Sequence, residues 1–462
     1  MTHRTLLVAI VAFASACETP DPGFETTATS EEALTSLWSK QFGDAMEQAG
    51  TAVTADPSGN VIAAGQFRGT TSFGGGNLTS AGGYDAYVAK LDGSGAHVWS
   101  KRFGNSSDQY VKGVATDTSG NVLVTGNFNG TIDLGTGTLV SAGGTDIWLA
   151  KLDTAGAGVW ARRFGDASAQ SVAAIAVTST GNIVIAGQFQ GTVDFGGGPL
   201  VSAGSADIFV AEYDAIGGFV WAKRFGDSCA NQSATAITVD ASGNVIIAGG
   251  LAGTVNFGGA NLTTSSCTDV NAFVAKFNAS GVHQWSKAFG DTAAQLSTGL
   301  GVDSLGNVYL TGTFGGTTDL GGGPMVSAGL DDIFLARFAP TGGLGWSKRI
   351  GGTSADLVRG LATNASGKVR ITGKYAGTVD FGGGNLTSAG SSDIFLAEYA
   401  TSGAFISASR FGDAASQDSN AVAFDASDDA LITGQFAGTV NFGAGTLSSS
   451  SGNDIFVAKF TP

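Results

Sequence analysis

The chain has 462 residues, of which 43% are hydrophobic, 13% charged and 73 glycine, with a formal net charge of −15. That hydrophobic content excludes a disordered chain. The acidic balance argues against a nucleic-acid partner, and no basic cluster marks an anionic membrane surface. The glycine content, without a collagen period, points to tight turns and close-packed strands rather than long helices.

Residues 1–17, MTHRTLLVAIVAFASAC, read as a secretory leader: Arg4 precedes an apolar run over Leu6 to Phe13, and small residues follow. Ala14-Ser15-Ala16-Cys17 resembles the lipobox of bacterial lipoproteins, which makes Cys17 the expected site of lipid attachment; Ala14 departs from the usual leucine, and the same residues fit a plain A-x-A cleavage site. Residues 18–33, rich in Pro, Thr and Glu, read as a flexible tether. The expected location is outside the cytoplasm, as an outer-membrane or cell-surface lipoprotein, or else periplasmic or secreted. Membrane contact is expected only through the N-terminal lipid.

From residue 34 onward the chain repeats. Trp38, Trp99, Trp160 and Trp221 lie 61 residues apart; Trp285 follows after 64 and Trp346 after 61. Another 61 reaches Ser407, where SASRFGD stands in for WSKRFGD. Each copy reads as two hairpins, strands a–b and c–d, with a glycine-rich insertion between b and c that is expected to form a small hairpin of its own. Four-stranded units repeated radially are propeller blades, and the insertion lengthens each unit beyond the ~40–50 residues of commoner propeller repeats. Strand a alternates small residues (Ala52, Gly113, Ala174, Ala236, Gly299, Gly360, Ala421) with branched ones (Val53 to Val422), as suits an innermost strand where blades crowd. The last copy ends after strand c, and the first strand, near Ser36 to Gly43, is a lone d strand. Pairing the two closes a ring. The expected fold is therefore all-β, a seven-bladed β-propeller of four-stranded antiparallel blades over residues 34–462.

The recurring units DIFVAKL-D-x-x-G, W-x-K-R-F-G-D and V-x-D-x-S-G-N-V-x-x-x-G resemble the bacterial β-propeller repeat known as the SBBP repeat, across residues 34–462. That resemblance implies an exported bacterial protein and no common reaction. Glu212 and Glu398 depart from it where Lys or Arg usually sits, and Ser407 departs where Trp does.

Beyond Cys17 only Cys229 and Cys267 occur. They fall in a d–a loop and a b–c insertion, loops that leave an up-and-down blade on one face, close to the extra residues of the fourth copy. A Cys229–Cys267 disulfide is expected, which suits an oxidising compartment.

No constellation for catalysis is visible. His97 and His283 occupy equivalent positions in different blades and do not converge, so neither a metal cluster nor a Ser-His-Asp arrangement can be built from them. The D-x-S-G-N segments at Asp56, Asp117 and Asp240, and Asp133, Asp194, Asp319 and Asp380 in the insertions, are read as turn formers; calcium is the weaker alternative, and no other cofactor or metal is expected. The repeat pattern breaks just before the small position of strand a, where Lys112 and Arg359 replace Thr, Ala or Asn in blades nearly opposite across the ring; Tyr110 and Leu357 lie two residues earlier. These four are the ligand-binding candidates, for an anion or acidic glycan. The expected function is a non-catalytic binding propeller that engages a protein or polysaccharide through the loops of one face. The alternatives are a glycan lyase or hydrolase at the channel mouth and a purely structural envelope lipoprotein.

Overall fold

The structure is a computed structural model that describes residues 34–229 and 232–461. The expected leader, the expected tether and Cys17 lie outside the described residues. Seven four-stranded antiparallel sheets form seven blades. In the first blade, strand a is Gln48–Ala55, b Val61–Phe67, c Asp85–Leu91 and d His97–Phe103. The insertion between b and c is a two-stranded hairpin, Thr70–Ser72 with Asn77–Thr79, and every blade has its equivalent. The seventh blade takes its outer strand from the other end of the chain: Ser36–Phe42 pairs antiparallel with Asp454–Phe460, from Ser36↔Phe460 to Phe42↔Ile455. This is the closure expected from the lone d strand.

Strands b and c are buried on both faces, because each blade is covered by a neighbour on either side. They accordingly read as near-continuous apolar runs such as VIIAGGL and NAFVAKF. Strand d is half-exposed, and its tryptophan explains the period. The indole of Trp38 donates to Gly93 O at 3.0 Å, that of Trp99 to Thr154 O at 3.0 Å and that of Trp346 to Thr401 O at 3.0 Å. Each acceptor lies in the c–d turn of the next blade. A Cβ on that turn's glycine would press on the indole, 2.9 Å away at Gly95 and 2.8 Å at Gly403. Ser407 follows from the same geometry. The sixth blade faces the seventh, whose c and d strands come from opposite chain ends, so no c–d turn lies there for a tryptophan to cover.

A second tie repeats on the loop face. Asp85, Asp146, Asp207, Asp332 and Asp393 open strand c fully buried, each paired with an arginine of strand d: Arg102, Arg163, Arg224, Arg349 and Arg410. The same carboxylate accepts a backbone N–H from the insertion, as Ala81 N to Asp85 at 3.0 Å. In the fourth blade Ala288 replaces the arginine and Asn271 the aspartate, so no uncompensated charge is buried. Cys229 and Cys267 are joined by a disulfide with Cα atoms 5.1 Å apart, tying a d–a loop to a b–c insertion on this face.

Candidate functional site

Strand a does not alternate simply. In every blade its pairing with b slips at one residue: between Gly50 and Ala52, Val111 and Gly113, Val358 and Gly360, and likewise elsewhere. The skipped residue is a β-bulge, which re-aims a side chain. It is the position of Thr51, Lys112, Ala173, Thr235, Thr298, Arg359 and Asn420, and all seven line an axial cavity of about 320 Å³. Four of them stitch the ring together. Thr51 donates to Val111 O at 3.0 Å, Thr235 to Ser297 O at 2.5 Å, Thr298 to Val358 O at 3.1 Å and Asn420 to Gly50 O at 2.8 Å, each to the following blade. The small position next along is pressed by that blade too: a Cβ on Gly113 would lie 2.8 Å from Ile175 Cγ2, and one on Gly299 2.8 Å from Leu361 Cβ.

The two cations behave differently. Arg359 contacts Asp418 of the seventh blade at 3.5 Å, and Asp418 also takes Lys374 at 2.9 Å. Lys112 is open to the channel yet ringed by protein, and that partial dehydration pulls its ammonium below the usual lysine range. Its Nζ lies 5.7 Å from the Tyr110 ring centroid.

Tyr110 belongs to a cluster at the loop-face mouth between the first and second blades. Its ring centroid is 5.7 Å from that of Tyr84, and the Arg68 guanidinium sits 4.2 Å over Tyr84. Asp108 holds the group together: it accepts the Tyr84 N–H at 2.8 Å and faces Arg68 at 4.0 Å. Burial, reinforced by Asp108, pushes the Tyr110 phenol up, so at neutral pH it is a hydrogen-bond donor and a stacking surface rather than a base. Other blades have Ala49, Ser171, Ser233, Leu296, Leu357 and Asp418 at the Tyr110 position. Leu357, half-buried, brings no such group together. Arg68 and Tyr84 escaped the sequence reading, although Tyr84 breaks a column otherwise held by Thr145, Ala206, Val270, Asp331, Ser392 and Asn453.

Another broken column lies just below. Gln48, Gln109, Gln170, Gln295 and Gln417 open strand a and Gln232 directly precedes it; Gln48 donates to Asp44 at 2.7 Å and to Arg68 O at 3.0 Å. The sixth blade has Asp356, fully buried, and Gly352 in place of the loop aspartate. One carboxylate oxygen of Asp356 accepts Gly352 N at 2.7 Å; the other has no partner. Burial, with Asp332 nearby, raises its pKa to about 6. A raised folded-state value means the folded protein holds this proton longer than the unfolded chain. Its contribution is thus fully present below about pH 4 and is lost as pH rises to about 6. Relative to Asp356→Asn, the wild type is expected to lose roughly 2–3 kcal/mol of stability between pH 4 and pH 7. Urea unfolding at both pH values checks this, and parallel pH profiles for the two proteins would refute it.

The remaining candidates are held structurally. Asp56 accepts N–H groups from Ser58 and Asn60 and contacts Lys90 Nζ at 2.7 Å. Burial raises its pKa, but the Asn60 and Lys90 bonds outweigh that and leave it below the usual carboxylate range. Asp117 and Asp240 are bound in the same way, to Lys151 and Lys276 at 2.9 Å each, so each carboxylate is paired with an ammonium. Asp133, Asp194, Asp319 and Asp380 each accept a glycine N–H two residues on, at 2.7–2.8 Å. His97 packs on Gly74 and Gly75 of an insertion hairpin, the place Phe219 takes against Gly196 and Gly197, and His283 on Gly258 and Gly259. Among the described residues no three His, Cys, Asp or Glu side chains are grouped as a metal requires. The two glutamates in lysine positions also find partners: Glu398 pairs with Arg370 and Lys368, whereas Glu212 accepts Asn182 at 2.7 Å and burial pushes its pKa up.

Two stretches, residues 98–132 and 284–313, match the SBBP family, described as a beta-propeller repeat. Each covers the outer strand of one blade and the two inner strands of the next. A WD repeat-containing protein of Acanthamoeba polyphaga mimivirus is 23% identical over 92% of this chain, which spans 38% of that protein. The regulatory protein FlaEY of Caulobacter vibrioides is 28% identical over 38% of this chain, a match that covers 19% of FlaEY. Among solved structures, the Pan2 WD40 domain of Neurospora crassa aligns over 91% of this chain and 96% of its own, with a TM-score of 0.46 and 8% identity.

Proposed function

We propose that the protein is an exported, non-catalytic binding propeller that engages a polysaccharide through its loop face. The observation that carries this reading is the Arg68–Tyr84–Tyr110 cluster at the channel mouth. A repeat ring needs no such group for its fold, since the other six junctions do without it. Half-buried tyrosine rings beside hydrogen-bonding cations suit the edge of a sugar ring and its hydroxyls. The leader motif supports export with lipid attachment at Cys17, and the Cys229–Cys267 disulfide suits an oxidising compartment. A lyase would need a free base at the mouth; the Tyr110 phenol is raised, and the Asp108 carboxylate is engaged by the Tyr84 N–H and faces Arg68.

Thermal unfolding of residues 18–462 against a panel of polysaccharides and cell-wall fragments tests the reading. One polysaccharide is expected to raise the melting temperature saturably, by mass action on the folded state. The rise is expected to vanish in Tyr84→Ala and Tyr110→Ala. A rise that survives both substitutions, or none across the panel, contradicts the proposal.

A further inference from the structure

The molecule carries a net charge of −15, yet its axial channel runs the other way. Three residues per blade line the cavity, and no Asp or Glu is among them. Its only charged lining residues are Lys112 and Arg359. Arg359, Lys374 and Asp418 together leave one positive charge (two cations less one carboxylate). Lys112 has no carboxylate within ion-pair distance among the described residues. The other bulge positions are hydroxyl, amide or methyl groups, and four of those donate to backbone carbonyls. Lys112 is thus the one cation in the wall without a carboxylate partner, Arg359 being shared with Asp418, and low-dielectric walls concentrate its field on anions.

We propose that this channel is a carboxylate site for an acidic sugar, with Lys112 binding the uronate carboxylate and Tyr110 covering the sugar ring at the mouth. The assignment rests on reading the mouth as saccharide-binding. The cavity, about 320 Å³, lies at the lower end of the ~300–1,000 Å³ range of ligand sites, which suits one sugar residue rather than a strand of polymer. Tyr110 and Lys112 are adjacent, with Nζ 5.7 Å from the ring centroid, so one ligand residue reaches both. The favoured ligand is therefore a terminal uronate.

Calorimetric titration of the protein with sodium glucuronate, glucose and sodium acetate tests the site. Glucuronate is expected to bind saturably, more weakly as NaCl is raised, with glucose and acetate each about tenfold weaker or undetectable. Lys112→Met and Lys112→Gln are each expected to weaken glucuronate by about tenfold or more, with melting temperatures confirming that both fold. Lys101→Met, at an exposed lysine of strand d, serves as the control and is expected to bind as wild type. Equal binding of acetate and glucuronate would overturn the sugar assignment and leave a general carboxylate site, open to a peptide C-terminus. Unchanged glucuronate binding in both Lys112 variants, or no binding by the wild type, would overturn the site itself. Polygalacturonate titrated in parallel separates the two readings. If it binds the Lys112 variants as wild type but not Tyr84→Ala, the channel proposal fails and the mouth reading stands.

Discussion

Replacing Arg370 by methionine is expected to lower the unfolding free energy by about 3–5 kcal/mol, among the largest single effects available in this ring. Arg370 is fully buried in strand b of the sixth blade. Its Nε donates to Glu398, its Nη1 to Asp428 O at 3.0 Å, and its guanidinium lies 4.4 Å from the Phe424 ring centroid. In four other blades strand c supplies a lysine to an aspartate of the a–b turn, as Lys90 does to Asp56. Here the signs are reversed: strand c supplies Glu398, which is 2% exposed, and the turn residue is the neutral Asn364. Methionine would leave Glu398 with Lys368 alone, at 3.0 Å. The double variant Arg370→Met/Glu398→Met removes both charges and is expected to recover most of the loss, because a well-packed apolar pair of similar volume often matches a buried ion pair. Equilibrium urea unfolding decides this, and a double variant no more stable than the single one would contradict it.

Gly126→Ala is expected to lose roughly 2–4 kcal/mol, although alanine is the smallest possible side chain and the site is a strand interior. The cause is the bulge one strand inward. It leaves the Tyr110 carbonyl over Gly126, so a Cβ there would lie 1.8 Å from that oxygen and 2.8 Å from Trp148 Cζ2. All seven strand-b glycines meet the equivalent carbonyl at 1.8–2.1 Å. Backbone on one side and a buried aromatic on the other leave nothing to yield. Gly59→Ala is the comparison: its φ of 79° imposes about 1 kcal/mol of left-handed strain, but no atom lies within 4 Å of the new methyl. If the two variants unfold at the same urea concentration, the close approach at Gly126 does not limit stability.

These two cases also show what could be read from the sequence. The tryptophan spacing and the lone d strand at Ser36 were enough for the blade count and the closure, because both are properties of one chain compared with itself. The strand-b glycines, from Gly65 to Gly434, recur once per copy in the letters, but the reason for them does not show there. A bulge has no composition of its own, and the carbonyl it displaces leaves no mark in the letters. The candidate site was half legible for a related reason. Lys112 and Tyr110 stood out within strand a, whereas Tyr84 and Arg68 come from the preceding blade and required its neighbour's position. Asp356 was legible in principle, as the one acid in a column of six glutamines, but its lack of a second partner depends on Gly352 and the altered loop.

The closure strand has a mechanical consequence. Ser36 lies beside Phe460, at the face formed by the a–b and c–d turns, and Phe42 beside Ile455, at the face of the insertions. An anchor at the N-terminus, as proposed, would pull this strand from its turn-face end while a captured polymer pulls the ring from the opposite face. The load then runs along the strand axis, in shear, and the backbone hydrogen bonds to Asp454–Phe460 carry it together instead of peeling one after another. The same strand that completes the ring would be its weight-bearing attachment, and tension would reach it through the seventh blade and through the Trp38 contact with the first.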